Sequence, residues 1–545
     1  MTLKPPPLRT NGDIRLIRTS LPLVRENPQD CPRGNAVRAR PHLEQVPERV
    51  RRKPVEDFAL GPVMAALDAI EHEGVHSEDA LRKLAGNRKY HPAHVRWAEG
   101  AVRNYLAARR ATEADRQVRG RAPVSPFRGE WTVVNDLHAP GPHGAIRYER
   151  TAWGRRYVSA DGTERELWLL SVNSVKRDRP MAEIAEAASV AAIGAPSRAA
   201  FRDIHRPVAG STVCPERVRV VGVGCGDGTH DVLADWDAAE CARRYESHAK
   251  PVLGRIVSDD RLNPGSSCVK CEALSGCEQP PRTPGLLGAT APRRPRKRRS
   301  VSVSDLRAYH RCPALFHLTR VLKLKSPDPE SAPIRRGRAV DAWLNRTHGQ
   351  GSCRGVPLPD ALAGLSEDEQ PAALAMLAQH LRACPLDGIG PEESVEVQKR
   401  LTVYDPEVDT VIVADADLLY TRSGGWIWHE TKTAARSIWE GRELLENYPQ
   451  LALAVLMMAA GVPGGDARRS LVELEILYEN GSRCEEVDPG EPDTLATARR
   501  VIRELASGWA GDERYEPAPG DQCGGCEMLR HCDAGRALVD AGRPV

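Results

Sequence analysis

No apolar run in this sequence is long enough to span a bilayer. The longest, LALAVLMMAAGV at Leu451–Val462, reads as a buried helix. The start, MTLKPPPLRTNGDIRL, has no apolar signal segment, so secretion is not indicated and the expected location is the cytoplasm, with no membrane contact. No G-x-x-x-x-G-K-[ST] occurs, which excludes a Walker-type motor within the chain. Aromatic residues are scarce, at 5%, and the net charge is only +3, so overall charge alone does not mark a nucleic-acid binder. Glycine (45) and proline (43) are plentiful and imply many loops. In a reducing compartment the 14 cysteines point to metal ligation or core thiols rather than disulfides. A length of 545 residues implies two to four domains.

One cysteine pattern occurs twice. PGSSCVKCEALSGC, ending at Cys277, and PGDQCGGCEMLRHC, ending at Cys532, share the frame P-G-x-x-C-x-x-C-E-x-L-x-x-C. Each follows a strand pattern and then a helix pattern. PERVRVVGVGCGDGTHDVL matches ARRSLVELEILYENG in kind, and ELWLLSVNSV matches GGWIWHETKT. A domain duplication is therefore expected, with residues 1–278 and 301–545 as its halves. Between them, residues 279–300 form a basic Pro-rich stretch that reads as an exposed linker, RRPRKRR included. In the second half, Ser304 is placed to cap a helix. RRGRAVDAWLNRTHG and EQPAALAMLAQHLRAC read as amphipathic helices, and EGRELLENYPQLALAVLMMAAG as one long helix.

The chemistry concentrates in ADADLLYTRSGGWIWHETKT. A turn centred between Ser423 and Gly424 makes a hairpin in which Asp417 faces Glu430 and Asp415 faces Lys432. Glu430 and Lys432, two apart on one strand, share a face. The flanking residues are apolar, and acids in buried strands are costly unless paired or metal-bound. A surface hairpin with an ordinary ion pair is the plainer alternative.

D-x(12)-E-x-K after a helical G-x-x-V segment resembles the PD-(D/E)XK nuclease superfamily. More closely, it resembles the RecB-type branch with an iron–sulfur cluster, which includes the CRISPR-associated four-cysteine exonucleases and the AddB nuclease domain. The resemblance covers about residues 300–535 and implies an α/β, restriction-endonuclease-like core, a mixed central sheet flanked by helices, with an iron–sulfur clasp, present twice. It assigns Asp417, Glu430 and the Thr431 carbonyl to a Mg²⁺ or Mn²⁺ ion and Lys432 to the attacking water. Tyr448 and Gln450 fall in Y-x-Q-type positions near the DNA backbone. The histidine usual in G-x-x-V-H is replaced by Asp341, which makes the ligand set all-oxygen.

The resemblance further implies a 4Fe–4S cluster on Cys312, Cys523, Cys526 and Cys532, with zinc as the alternative. A second cluster would use Cys31, Cys268, Cys271 and Cys277. Cys214, Cys225, Cys241, Cys353, Cys384 and Cys484 show no ligand spacing and read as small core residues. Aligning Trp168 with Trp426 puts Val172 and Ser174 where Glu430 and Lys432 stand, so the first half is expected to lack the catalytic acids. Two functions compete. One is a metal-dependent DNA nuclease of repair, CRISPR adaptation or phage defence with an inactive sister domain and a separate helicase or other partner. The other is a non-catalytic iron–sulfur protein that grips nucleic acid or a partner. A cluster-based redox sensor is a third reading, supported by the cysteines alone.

Overall fold

Helices and strands with buried β-branched residues make up both halves of the chain in this computed structural model, which describes residues 5–138, 145–198, 203–208, 214–326, 330–435 and 443–542. In the first half, β1 (Thr10–Asn11) and β3 (Glu44–Gln45) form a short ribbon. One sheet is built from β2 (Leu16–Ser20), β5 (Glu130–His138), β6 (Ala145–Thr151), β9 (Ala195–Arg198) and β10 (Arg206–Pro207), in the order β10-β9-β5-β6-β2. A second sheet contains β4 (Val124–Pro126), β7 (Arg155–Ser159), β8 (Glu164–Ser171), β11 (Arg217–Gly224) and β12 (His230–Asp237), in the order β12-β11-β8-β7-β4. Among its described residues the second half has a single mixed sheet of β13 (Arg299–Val301), β14 (Val395–Asp405), β15 (Thr410–Arg422), β16 (Gly425–Thr433), β17 (Leu471–Tyr478) and β18 (Gly481–Val487).

The second sheet of the first half and the sheet of the second half follow one plan. In each, an antiparallel hairpin (β7·β8 or β15·β16) is followed by a buried helix, Met181–Ile193 or Pro449–Ala459. The next strand of the same sheet (β11 or β17) pairs parallel with the hairpin's second strand, and a final strand closes the edge antiparallel. β4 and β14 flank the hairpin's first strand, both antiparallel. The five-stranded β10-to-β2 sheet has no counterpart among the described residues of the second half.

On β8 of the first half an acid is held by arginines. Glu166 is fully buried, and its carboxylate accepts from Arg116 and Arg219, each at 2.8 Å, and from the Trp168 indole at 2.9 Å. Replacing Glu166 with alanine removes an acceptor shared by two buried guanidinium groups, of which Arg116 keeps Glu164 at 2.9 Å and Arg219 keeps Asp235 at 3.9 Å. The expected cost is about 3–5 kcal/mol, read as an earlier urea-unfolding midpoint.

The two halves share a core. Leu315, Leu318, Leu322 and Met528 pack among Tyr90, Trp97 and Tyr105 of the first half. In the other direction, Cys268 and Leu274 pack on Val411 and Val413 of β15. The segment 279–300 is not an exposed linker. Leu287 lies in the core, and Arg296 and Arg298 are buried. Arg296 donates to the carbonyls of Trp509 (3.1 Å), Ala510 and Asp512, and Arg299 stacks 3.6 Å from the Trp509 ring centre. These carbonyls end the helix Pro492–Gly511, where unpaired C=O groups and the negative dipole end attract cations. Composition reads as solvated charge what the fold uses as a helix cap.

Two local expectations also change. Ser302, not Ser304, caps the helix Val303–Arg311, in a reciprocal capping box with Asp305. The helix expected through Tyr448 is broken there, because Pro449 starts a new helix and disfavours helical geometry in the residue before it. The described part begins at Glu443, and Glu440–Arg442 lie outside the described residues.

Candidate active site

The hairpin turn forms as its residues dictate. Ser423 (φ 52°) and Gly424 (φ 83°) both take left-handed backbone, the type I′ geometry that suits the twist of paired strands. That turn sets the register Arg422↔Gly425 through Leu418↔His429, the register expected from the sequence. Beyond Leu418 the two strands part. Asp417 is next, and its Oδ2 accepts from the Thr431 N–H at 2.9 Å, so a carboxylate replaces the ladder bond that the splay removes. β16 meanwhile continues against β17 as far as Thr433, which keeps Glu430 and Lys432 on one face.

At the mouth of this splay the charged groups converge. Lys432 Nζ lies 3.0 Å from Glu430 Oε2, 3.2 Å from Asp417 Oδ2 and 3.1 Å from the Thr431 carbonyl oxygen. The Trp428 indole N–H holds the other Glu430 oxygen at 2.9 Å. Asp415, expected opposite Lys432, instead forms a two-pronged pair with Arg400 of β14, at 2.7 and 3.1 Å. The reason is the splay: the β15·β16 ladder ends before Asp415, and its partner in register is Arg400.

Asp341 reaches the same place from the helix Ala332–His348. Gly337 permits this, since a Cβ there would lie 3.1 Å from Thr433 Oγ1. A residue absent from the sequence-based set completes the constellation. Gln398 of β14 has left-handed backbone (φ 50°), and the β14·β15 ladder skips it. Its amide donates to Asp341 Oδ1 (3.4 Å), Asn345 Oδ1 (3.3 Å) and Asp417 Oδ1 (3.3 Å). Such backbone strain in a non-glycine residue is a mark of functional sites, but it is invisible in an ordinary strand sequence.

The electrostatics suit a cation. Burial first, and the charge of Asp417 second, push both Glu430 and Asp341 above their ordinary pKa values. Burial alone would lower the Lys432 ammonium, but Glu430 and Asp417 outweigh it and hold it protonated. Three carboxylates against one ammonium leave two negative charges, and every donor is oxygen, the set that hard divalent ions prefer. Tyr448 and Gln450 flank Pro449 at the start of the following helix. Neither side chain hydrogen-bonds to the carboxylates among the described residues, and residues 436–442, which precede them, are not described.

Both cysteine quartets also converge. Cys31, Cys268, Cys271 and Cys277 line one cavity, and Cys312, Cys523, Cys526 and Cys532 line another. The backbone repeats around them, with Gly265 (φ −173°, ψ −165°) and Gly520 (φ −172°, ψ −168°) each preceding a short 3-10 turn. Backbone N–H groups point at sulfur: Gly34 to Cys31 and Gly535 to Cys532 at 3.4 Å, Ala518 to Cys312 and Gly520 to Cys523 at 3.5 Å. A Cβ on Gly535 would lie 3.5 Å from both Cys523 Sγ and Cys532 Sγ. Burial pushes the Cys268 thiol up to about 11 and Cys271 up to about 12. Four converging sulfurs with N–H donors around them fit a group that takes thiolates.

Of the six remaining cysteines, Cys225 and Cys241 are buried as expected, whereas Cys214 and Cys484 are exposed. Cys353 and Cys384 are buried but are not plain core thiols. Together with His348 and His380 they place four ligand atoms within 4.8 Å of one another, a Cys2His2-type group that could hold a metal. The signal was present as His-x4-Cys and His-x3-Cys, which a search for C-x-x-C pairs passes over.

Residues 300–533 match the sequence model of the PD-(D/E)XK nuclease superfamily, a span that runs from just before Cys312 to just after Cys532. No curated protein shows a significant match to the chain. No helix among the described residues is long and apolar enough to cross a membrane.

Proposed function

We propose that residues 300–533 are the catalytic domain of a Mg²⁺- or Mn²⁺-dependent deoxyribonuclease that hydrolyses phosphodiester bonds in single strands or at DNA ends. The observation that carries this reading is the meeting of Asp341, Asp417, Glu430 and Lys432 in the splay of β15 and β16, inside the span that matches a nuclease superfamily. Asp341, Asp417, Glu430 and the Thr431 carbonyl would hold the divalent ion. When bound, such an ion polarises the scissile phosphate and acidifies water. Lys432 donates from its ammonium to the attacking water and to the charge that builds on the phosphate oxygens. Gln398 orients Asp341 and Asp417 toward one point, and Trp428 fixes the carboxylate plane of Glu430. Tyr448 and Gln450, at the start of the next helix, serve the DNA backbone.

The cysteine quartets, by the same proposal, each hold a 4Fe–4S cluster that ties an early helix of its half to the last segment. Residues 1–278 are then a duplicated, inactive sister domain. The shared strand plan supports this, as does the absence of carboxylates from β7 and from the end of β8, which stops at Ser171 before Val172 and Ser174. The sister domain is left for DNA binding or for docking a repair or defence partner, such as a separate helicase.

Anaerobically purified protein, incubated with Mg²⁺ or Mn²⁺, is expected to cleave DNA. Single-stranded, blunt and end-blocked circular substrates show which ends it uses. No metal-dependent cleavage of any of them would favour the non-catalytic reading. The helix carrying Asp341 supplies a graded test. A valine at Gly337 meets Thr433 and pushes that helix off β16, and a misplacement of about 1 Å costs cleavage about a hundredfold. The measurement is kcat, alongside a far-UV spectrum that should not change.

A further inference from the structure

The helix that carries Asp341 ends on a second cluster, far in chemistry from the carboxylates. His348 forms its last turn and Cys353 follows in the loop. The helix Gln370–His380 ends at His380, and Cys384 follows in the next loop. All four residues are buried, His380 and Cys353 almost completely. The two imidazoles point their Nε2 atoms at one another, 3.1 Å apart, and Cys384 Sγ lies 3.6 Å from His348 Nε2. The Cys353 backbone N–H donates to Cys384 Sγ at 3.5 Å. A tetrahedral zinc, with Zn–S of about 2.3 Å and Zn–N of about 2.0–2.1 Å, separates its ligand atoms by about 3.3–3.8 Å. The apolar core has brought the four ligand atoms within 4.8 Å of one another, with two of the pairs, at 3.1 and 3.6 Å, close to that spacing.

We propose that His348, Cys353, His380 and Cys384 bind one structural zinc ion. Two thiolates and two imidazoles in a compact group match zinc better than the hard ions suited to the carboxylates. All four positions are filled by protein, which makes the site closed and structural rather than catalytic. An outer partner is already in place. Glu475 Oε2 sits 2.6 Å from His380 Nδ1, the carboxylate contact that turns a ligating histidine's other nitrogen toward its metal. Glu475 also stands opposite Thr431 in the β16·β17 ladder. The zinc therefore pins the end of the Asp341 helix to the helix Gln370–His380 and, through Glu475, to β17, which pairs with the strand that carries Glu430 and Lys432. Ala339, Val340, Trp343 and Leu344 already pack that helix on Ala373, Met376 and Leu377, and the ion closes the far end of the same unit.

The proposal stands apart from the nuclease reading, because its test counts metal rather than cleavage. The full chain, purified anaerobically and dialysed against a trace of Zn²⁺, is expected to carry one zinc per chain that Cys353→Ser and Cys384→Ser each remove. Iron content should stay at the wild-type level in both variants, and Cys268→Ser and Cys523→Ser should keep the zinc. Cobalt exchanged into the wild-type protein should give the intense visible bands of a tetrahedral site with two thiolates. This readout holds even if the serine variants fail to fold. His348→Cys, which preserves four ligands, should retain zinc. Three results would overturn the assignment: no zinc after dialysis, zinc undiminished in Cys384→Ser, or a Cys353–Cys384 disulfide in place of two titratable thiols.

Discussion

Glu430→Gln is expected to lower metal-dependent DNA cleavage by about a thousandfold, the rate equivalent of the several kcal/mol that a Lewis-acid ion contributes. The substitution keeps the shape and the contact with the Trp428 indole, so folding should survive. It removes one of the charges that, by the proposed function, hold a divalent cation, so metal affinity should fall as well. Lys432→Ala should lose cleavage to a similar extent for a different reason. Its ammonium lies among Asp417, Glu430 and the Thr431 carbonyl, and removing it leaves two carboxylates without their internal counter-charge. Metal affinity in Lys432→Ala should therefore equal or exceed that of the wild type while kcat collapses. Metal titration and single-turnover cleavage of the same samples measure the two effects separately. Wild-type cleavage by both variants would refute the assignment of this site.

Cys523→Ser and Cys268→Ser should each remove about half of the iron if both quartets hold clusters of equal size. The loss should reach further than one cofactor. Met528, within the second clasp, is buried in the core of the first half, and Cys268, within the first clasp, packs on β15 of the second. Each clasp thus supports the opposite half, and losing either should expose apolar surface across the shared core. Iron analysis together with limited proteolysis checks this. A Cys268→Ser protein with full iron would assign the first quartet no cluster.

The hairpin geometry was readable in advance because it is local. A two-residue Ser-Gly turn sets the register, strand periodicity puts Glu430 and Lys432 on one face, and burial forces acids in such strands to find partners. The repeated frame around Cys277 and Cys532 was readable for a similar reason, since cysteine spacing is written along the chain. Asp415 shows where local reasoning stops. Its pairing with Arg400 depends on how far two strands stay together, and no residue within the hairpin records that distance.

Order along the chain therefore carried the turn, the strand faces, the candidate acids and the two cysteine frames, all of which depend on neighbours within a few residues. The tertiary structure alone decided which distant groups share a point in space. It drew Gln398 between Asp341 and Asp417 and seated Arg296 on a helix end more than 200 residues away in sequence. It also gathered His348, Cys353, His380 and Cys384 from two helix ends. These contacts follow from burying one continuous apolar core, a condition on the whole chain that no short segment expresses.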